Sequence, residues 1–295
     1  MKKFVFFLFL LCSIFAVSFA AARRMRAHSI GAKNESVVLD NQFRPTDYPL
    51  EYCPFVIVIV GKNNGAWVSK TLSSVFSQNY TPYRLIYIDD ASDDGSFDLA
   101  KDLINANLSG ATLVKNGETL GTLANLVRAI QSCQDEEIVV VLNGEDCLAH
   151  EWVLSRLNAY YANPDLWMTY GQSVSFPTFE PGSSRPFLVQ DLKEGGFRSH
   201  PFVSSHLKTF YAALFNRINE TDLIYQGQFL MAASDAAYMI PMLEMAKEHF
   251  QFIPEVLYIS NQEALFREDR EGNLRCEKFV RSLQPYPALV SLGAK

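Results

Sequence analysis

Arg84-Leu85-Ile86-Tyr87-Ile88-Asp89-Asp90-Ala91-Ser92-Asp93-Asp94-Gly95-Ser96 is the stretch on which the fold turns. An apolar run ends at two adjacent carboxylates, a cluster of turn formers follows, and a helical pattern starts at Phe97. In an open parallel sheet, ligands bind outside the carboxyl ends of the strands, so carboxylates placed there can face a nucleotide or a metal ion. Turn chemistry is the plainer alternative, since Asp, Ser and Gly all favour turns. It accounts for Asp93 to Ser96 as a turn and helix cap. Asp89 and Asp90 are harder to dismiss, because two ionised groups beside a buried strand need partners.

The flanking sequence repeats the pattern. Phe55 to Val60 is continuously apolar and β-branched, as expected of a strand buried on both faces, and Gly61 to Gly65 interrupts it. Trp67, Leu72, Val75 and Phe76 recur at helical spacing, and Pro82 closes that segment. Phe97 to Ile104 predicts a second helix, Ala111 to Val114 a short strand and Gly121 to Ile130 a third helix. Ile138 to Leu142 is a wholly apolar fourth strand that ends at Asn143-Gly144-Glu145-Asp146. Strand and helix alternate three times before that strand closes the series. This predicts an α/β fold, a Rossmann-like and mostly parallel central sheet flanked by helices with right-handed crossovers. Both acidic clusters then fall on one edge of the sheet. Beyond Asp146 the pattern weakens: Trp152 to Tyr161, Leu207 to Ile218 and Ala233 to Ala246 read as helices, Leu166 to Val174 and Phe252 to Ile259 as strands, and 175–200 as a long loop.

Composition narrows the class. The 295 residues are 48% hydrophobic and 20% charged, which excludes a disordered chain. A net charge of −6 and the lack of a long Lys/Arg cluster argue against nucleic acid as a partner. No C-x-x-C, G-x-G-x-x-G, P-loop, H-E-x-x-H or G-x-S-x-G occurs, which removes the commonest zinc, dinucleotide, NTPase, protease and esterase readings. Cys53, Cys133, Cys147 and Cys276 form an even set open to disulfide pairing, or are isolated buried thiols.

At the N-terminus, Lys2 and Lys3 precede an apolar run to Ala22, with Ala20-Ala21-Ala22 as a small-residue cleavage site. A cleaved secretory signal is favoured over an uncleaved membrane anchor, and it places the protein in the secretory pathway or cell envelope. Membrane association through this segment is the competing outcome. Residues 23–50 read as a linker, 51–262 as the folded domain and 263–295 as a C-terminal extension. Asn34, Asn79, Asn107 and Asn219 stand in N-x-S/T sequons.

Several residues can carry chemistry. Glu145 and Asp146 can hold a divalent ion, because hard cations prefer oxygen ligands; a polar loop is the plainer reading. Asp235 stands alone in an apolar helical stretch, as a general base or as an acid suited to a helix N-terminus. Arg198, His200, His206 and Lys208 form a basic cluster, with Arg198 and His206 as candidate contacts to an anionic ligand and a solvated surface as the alternative.

Together these segments resemble the family 2 glycosyltransferases of the GT-A fold. The resemblance rests on Phe55 to Val60, Asn63-Asn64, Ser74-Val-Phe-Ser-Gln78-Asn-Tyr80, Asp89-Asp90-Ala-Ser92-Asp-Asp94-Gly95-Ser96, Asn116-Gly117, Leu120-Gly121, Ala124-Asn125 and the Asn143 to Asp146 cluster at the D-x-D position. It implies transfer of a sugar from a nucleotide-sugar donor, a UDP-sugar by preference, to a glycan, lipid or protein hydroxyl. It further implies nucleotide contacts from Asp89, Asp90, Asn125 and Asn143, and Mn²⁺ or Mg²⁺ held by Glu145 and Asp146. Asp235 would be the base of an inverting reaction. Asn143 departs from the pattern by standing where the first Asp of D-x-D is usual, and Gly61-Lys62 replaces small and hydroxyl residues. A non-catalytic nucleotide- or sugar-binding module of the same fold is therefore the alternative, with a nucleotidyltransferase behind it.

Overall fold

The computed structural model describes residues 51–188, 196–264 and 270–293. The signal or anchor segment and the linker lie outside the described residues, as does part of the long loop. Among the described residues no helix is long and apolar enough to cross a membrane.

The chain runs β1 (Phe55–Gly61), α1 (Gly65–Phe76), β2 (Tyr83–Asp89), α2 (Ser96–Asn107), β3 (Thr112–Lys115), α3 (Thr122–Gln131) and β4 (Ile138–Asn143). It continues with β5 (Cys147–Leu148), α4 (Val153–Tyr161), β6 (Met168–Phe176), α5 (Gly196–Ser199), β7 (Lys208–Tyr211) and α6 (Ala212–Phe215). A small hairpin, β8 (Ile224–Tyr225) and β9 (Gln228–Phe229), precedes α7 (Ser234–Ala246), β10 (Phe250–Asn261) and α8 (Arg270–Ser282). Eight strands form one sheet in the order β3-β2-β1-β4-β7-β6-β10-β5. Six of them point the same way; β7 and β5 run against them.

Alternation along each strand divides the core in two, because successive side chains point to opposite faces. Val56, Val58, Ile86, Ile88, Val139 and Val141 pack with α3, α6 and α7 on one face. Phe55, Ile57, Ile59, Leu85, Tyr87, Val140 and Leu142 pack with α1, α2 and α4 on the other. The uniformly apolar strands are thus covered on both sides. Cys276 and Val280 of α8 join the first core, so the C-terminal helix shares the packing of the domain. The four described cysteines are separate thiols.

One expected helix is half wrong. Of Leu207 to Ile218, only Ala212–Phe215 is helical, and Lys208–Tyr211 is a strand between β4 and β6. Tertiary pairing decides here: Val141 sits opposite Lys208 and Thr169 opposite Thr209. That strand carries a lysine into the middle of the sheet.

Candidate active site

The ends of β1, β2 and β4 meet at one edge of the sheet, where two acidic turns lie side by side. At the end of β2, Asp89 is wholly buried, accepting from the Ser92 amide (2.9 Å) and the Ser96 hydroxyl (3.3 Å). Asp94 accepts from the Ser96 amide and, through Oδ2, from the Gly65 amide at 2.8 Å. Asn63 accepts from the Asp93 amide and donates its own amide to Ser92 Oγ. The turn 89–96 therefore clasps the start of α1. Asp89, expected to contact a nucleotide, is buried, and both of its carboxylate oxygens help to build that turn.

Asp90 holds a second loop. Its Oδ1 accepts from Asn116 Nδ2 (2.8 Å) and the Leu120 amide (2.9 Å), and its Oδ2 from the Gly121 amide (2.9 Å). Burial opposes its charge, but the Leu120 amide and the amides of Asn125, Asn116 and Gly121 together hold its carboxyl below the usual range. A carboxylate offers about four acceptor sites; three bonds are made here, and the Asn125 side chain adds a fourth favourable contact. Asn125 is wholly buried, accepts from Asn116, donates to the Gly121 carbonyl and favours the charge of Asp90. Expected at the nucleotide, it braces Asn116 from within the loop. Gly121 is required here: its φ of 86° suits glycine, and a Cβ would meet Met231 Sδ at 2.8 Å.

The turn after β4 is built differently. Asn64 and Thr71 hydrogen-bond the Gly144 carbonyl, the latter at 3.0 Å. A Cβ at Gly144 would meet Gly61 Cα at 2.7 Å, so the turn lies hard against β1. Asp146 is buried; its Oδ2 accepts from Asn143 Nδ2 (2.9 Å) and Tyr258 Oη (2.5 Å), and its Oδ1 from the Asn261 amide (2.6 Å). Burial pushes its carboxyl up despite these bonds and the nearby charge of Lys208. Asn143 is explained by this network: its amide donates to Asp146, where an aspartate would repel it. Glu145 stands apart. Among the described residues its half-buried carboxylate has no side-chain or ionic partner, only its own backbone amide. Burial, then the neighbouring Asp146, push it up to about 7. The two expected metal ligands thus divide: Asp146 ties β4 to β10, and Glu145 is left free.

No cluster of three or more His, Cys, Asp or Glu able to hold a metal ion exists among the described residues. A single unpartnered carboxylate still fits Mn²⁺ or Mg²⁺ at a diphosphate, because Mg²⁺ in such sites takes one or two carboxylates and completes its shell with phosphate and water.

Asp235 lies in the first turn of α7, facing a cavity of about 480 Å³ lined also by Phe202, Ser205, Met231, Asn273 and Glu277. Its side chain keeps 35% of its exposure, while Lys208, with which it pairs at 2.5 Å, keeps 1%. Tyr238 donates to its Oδ1 at 3.0 Å. Burial opposes the charge of Asp235, but Lys208 outweighs it and holds the carboxyl below the usual range. His206, stacked on Tyr258 with ring centroids 4.3 Å apart, is pushed down to about 3 by burial and by Lys208. It lies beneath the site as a neutral ring, so the expected charged contact from His206 is corrected. A larger cavity, about 720 Å³, opens at the opposite edge beside Tyr52, Trp167 and Leu292, and none of these acidic residues lines it.

Arg198 is also corrected. It is buried in a two-pronged pair with Glu244 (2.7 and 2.9 Å) and donates to the Val280 carbonyl, binding α7 and α8 together. Residues missed from the sequence are Tyr258, Asn261 and Lys208 in its actual role. A lone lysine within the apolar stretch Leu207 to Tyr211 was the available signal for the last.

Comparison with known proteins agrees with this geometry. The profile of the family described as Glycosyl transferase family 2 matches residues 56–223. Among solved structures, S. aureus TarS 1–349 in complex with UDP superposes with a TM-score of 0.57 at 12% identity, covering 77% of this chain and 64% of that one. The mannosyltransferase PcManGT from Pyrobaculum calidifontis, in complex with GDP-Man and Mn²⁺, gives 0.56 at 17% identity, covering 94% and 76%. This chain thus spans just under two thirds of the TarS fragment, and 36% of the longer TarS chain. No curated protein sequence matches. With more than half of the chain matched by the family profile and the sheet arranged as in these enzymes, the protein belongs to glycosyl transferase family 2.

Proposed function

We propose that the protein transfers a sugar from a nucleoside-diphosphate sugar to an acceptor hydroxyl with inversion at the anomeric carbon. The observation that carries this reading is Glu145, a half-buried carboxylate without a side-chain or ionic partner beside Asp146. The charge of Lys208 acts on Asp146 and on Asp235 alike, which makes the two acidic sites neighbours.

Asp90, with the loop that it holds through Asn116, Leu120 and Gly121, meets the nucleotide base. Asn143, at the end of β4, lies beside the ribose and diphosphate. Glu145 is the protein's ligand to Mn²⁺ or Mg²⁺. When bound, such an ion offsets the charge that builds on the departing diphosphate. Asp235 accepts the proton of the acceptor hydroxyl as that oxygen bonds the anomeric carbon. The bond from that carbon to the diphosphate breaks, and its electron pair leaves with the nucleoside diphosphate. TarS and PcManGT, solved with UDP-GlcNAc and GDP-Man respectively, support a nucleotide-sugar donor. A UDP-sugar is the first choice, the acceptor is a glycan, lipid or protein hydroxyl, and the apolar run near the N-terminus supports the secretory pathway or the cell envelope as the location.

The test is a panel of UDP-, GDP- and other nucleotide-sugars incubated with folded protein and Mn²⁺. Release of one nucleoside diphosphate, suppressed by EDTA, is expected. Absence of release across the panel contradicts the proposal.

A further inference from the structure

We propose that Lys208 is a positioning residue for the base: an internal cation that fixes the carboxylate of Asp235 and keeps it ionised while touching neither donor nor acceptor. The assignment of Asp235 as base rests on the function proposed above; the charge relation between the two residues does not.

Lysine is almost never fully buried unless paired. Lys208 is fully buried in the middle of the sheet, opposite Val141 of β4 and two residues short of the end of that strand. Its Nζ contacts Asp235 Oδ2 at 2.5 Å and lies 5.9 Å from the centre of the Tyr238 ring. Tyr238 donates to the other oxygen. One oxygen of Asp235 is therefore ion-paired with Lys208 and the other hydrogen-bonded by Tyr238. About half of its acceptor capacity remains for a hydroxyl in the cavity above. The asymmetry of the pair matters, since the cation is sealed and the anion is open. A sealed cation cannot bind substrate directly, so its effect on chemistry passes through Asp235.

Of the surrounding groups, His206 also favours the ionised form of Asp235, but only Lys208 touches it. His206, on the same segment, is neutral. Tyr238, from α7, is pushed well above its ordinary range by burial and by Asp235, and remains protonated. Glu277 of α8, across the cavity, is already paired with Arg281 at 2.7 Å. Asp146, which also feels Lys208, has its own three donors. Lys208 is thus the one described cation in contact with Asp235.

The experiment follows the Asp235 carboxyl carbon by NMR in full-length protein labelled with [¹³C]aspartate, the signal being assigned by its loss in Asp235→Asn. Wild type is expected to stay ionised through the ordinary aspartate range. In Lys208→Met the midpoint should rise by at least one pH unit, and the acid limb of kcat/KM should rise with it. Lys208→Arg should restore most of both. An unmoved midpoint and limb in a folded Lys208→Met, with only its melting temperature lowered, would mean a structural role and overturn the proposal. Should that variant not fold, the wild-type titration decides: an ordinary aspartate midpoint overturns it. The NMR readout needs no donor, so a silent donor panel with a displaced midpoint would sink the proposed function and leave the pairing intact.

Discussion

Two acidic turns end neighbouring segments of the same sheet edge, and their carboxylates have opposite fates. After β2, Asp89, Asp90 and Asp94 are each held by donors of the turn and the following loop, and Asp90 is held below the ordinary carboxylate range. After β4, Asp146 is held by three donors in the same way, but Glu145 has no side-chain partner and is pushed up to about 7. Like residues at like positions thus divide into groups that build the site and one that is left for a ligand. The number of donors aimed at each carboxylate makes that division. An unsatisfied buried charge is costly, so an unpartnered one suggests that its partner arrives with the substrate.

The comparison can be broken by substitution. The largest stability effect is expected at Arg198, assigned here to structure. Arg198→Ala leaves Glu244 buried and uncompensated, which costs about 3–5 kcal/mol. Chemical denaturation measures that loss, and calorimetry on the surviving fold should show nucleotide affinity unchanged. A lost affinity with intact stability would return Arg198 to the ligand.

Asp90→Asn comes next. An amide in place of the carboxylate faces the Leu120 and Gly121 donors with a donor of its own, at a cost of about 1–3 kcal/mol at neutral pH. The folded pKa of Asp90 is lowered, so its contribution is present above the unfolded value and is lost as pH falls through the folded one. The gap between variant and wild type should therefore close in acid.

Glu145→Gln should act in the opposite sense. The folded pKa of Glu145 is raised from 4.5 to about 7, so metal-free wild type loses stability as pH rises across that window. The variant should escape this loss and be more stable than wild type at pH 8, by an amount on the order of 1–3 kcal/mol. Melting curves at pH 5 and pH 8 with EDTA measure it. Equal slopes with pH would show that Glu145 is already compensated. The smallest effect is expected at Arg156, whose exposed pair with Glu255 is worth about 0.2–1 kcal/mol.

Much of the first half was legible in the sequence because its strands are apolar on both faces and its turns carry local signals. Phe55 to Val60, Leu85 to Ile88 and Ile138 to Leu142 fell within the observed strands, and Gln78 of the quoted motif hydrogen-bonds Ser74, His150 and Leu154, tying α1 to α4. The second half depends on pairing between distant strands. Lys208 read as part of a basic surface because nothing local shows that β4 and β6 enclose it. Asn125 and Arg198 read as ligand contacts because their partners, Asn116 and Glu244, become neighbours only in the fold. Residue types at strand ends were readable; which way each side chain turned was not.

The most direct test compares nucleotide release by wild type and Glu145→Gln from the same nucleotide-sugar panel with Mn²⁺, with melting curves to confirm folding. Metal-dependent release by wild type, reduced about 100-fold or more in a folded Glu145→Gln, is the predicted result. Wild-type rates in the variant, or no release by folded wild type from any donor, would contradict it.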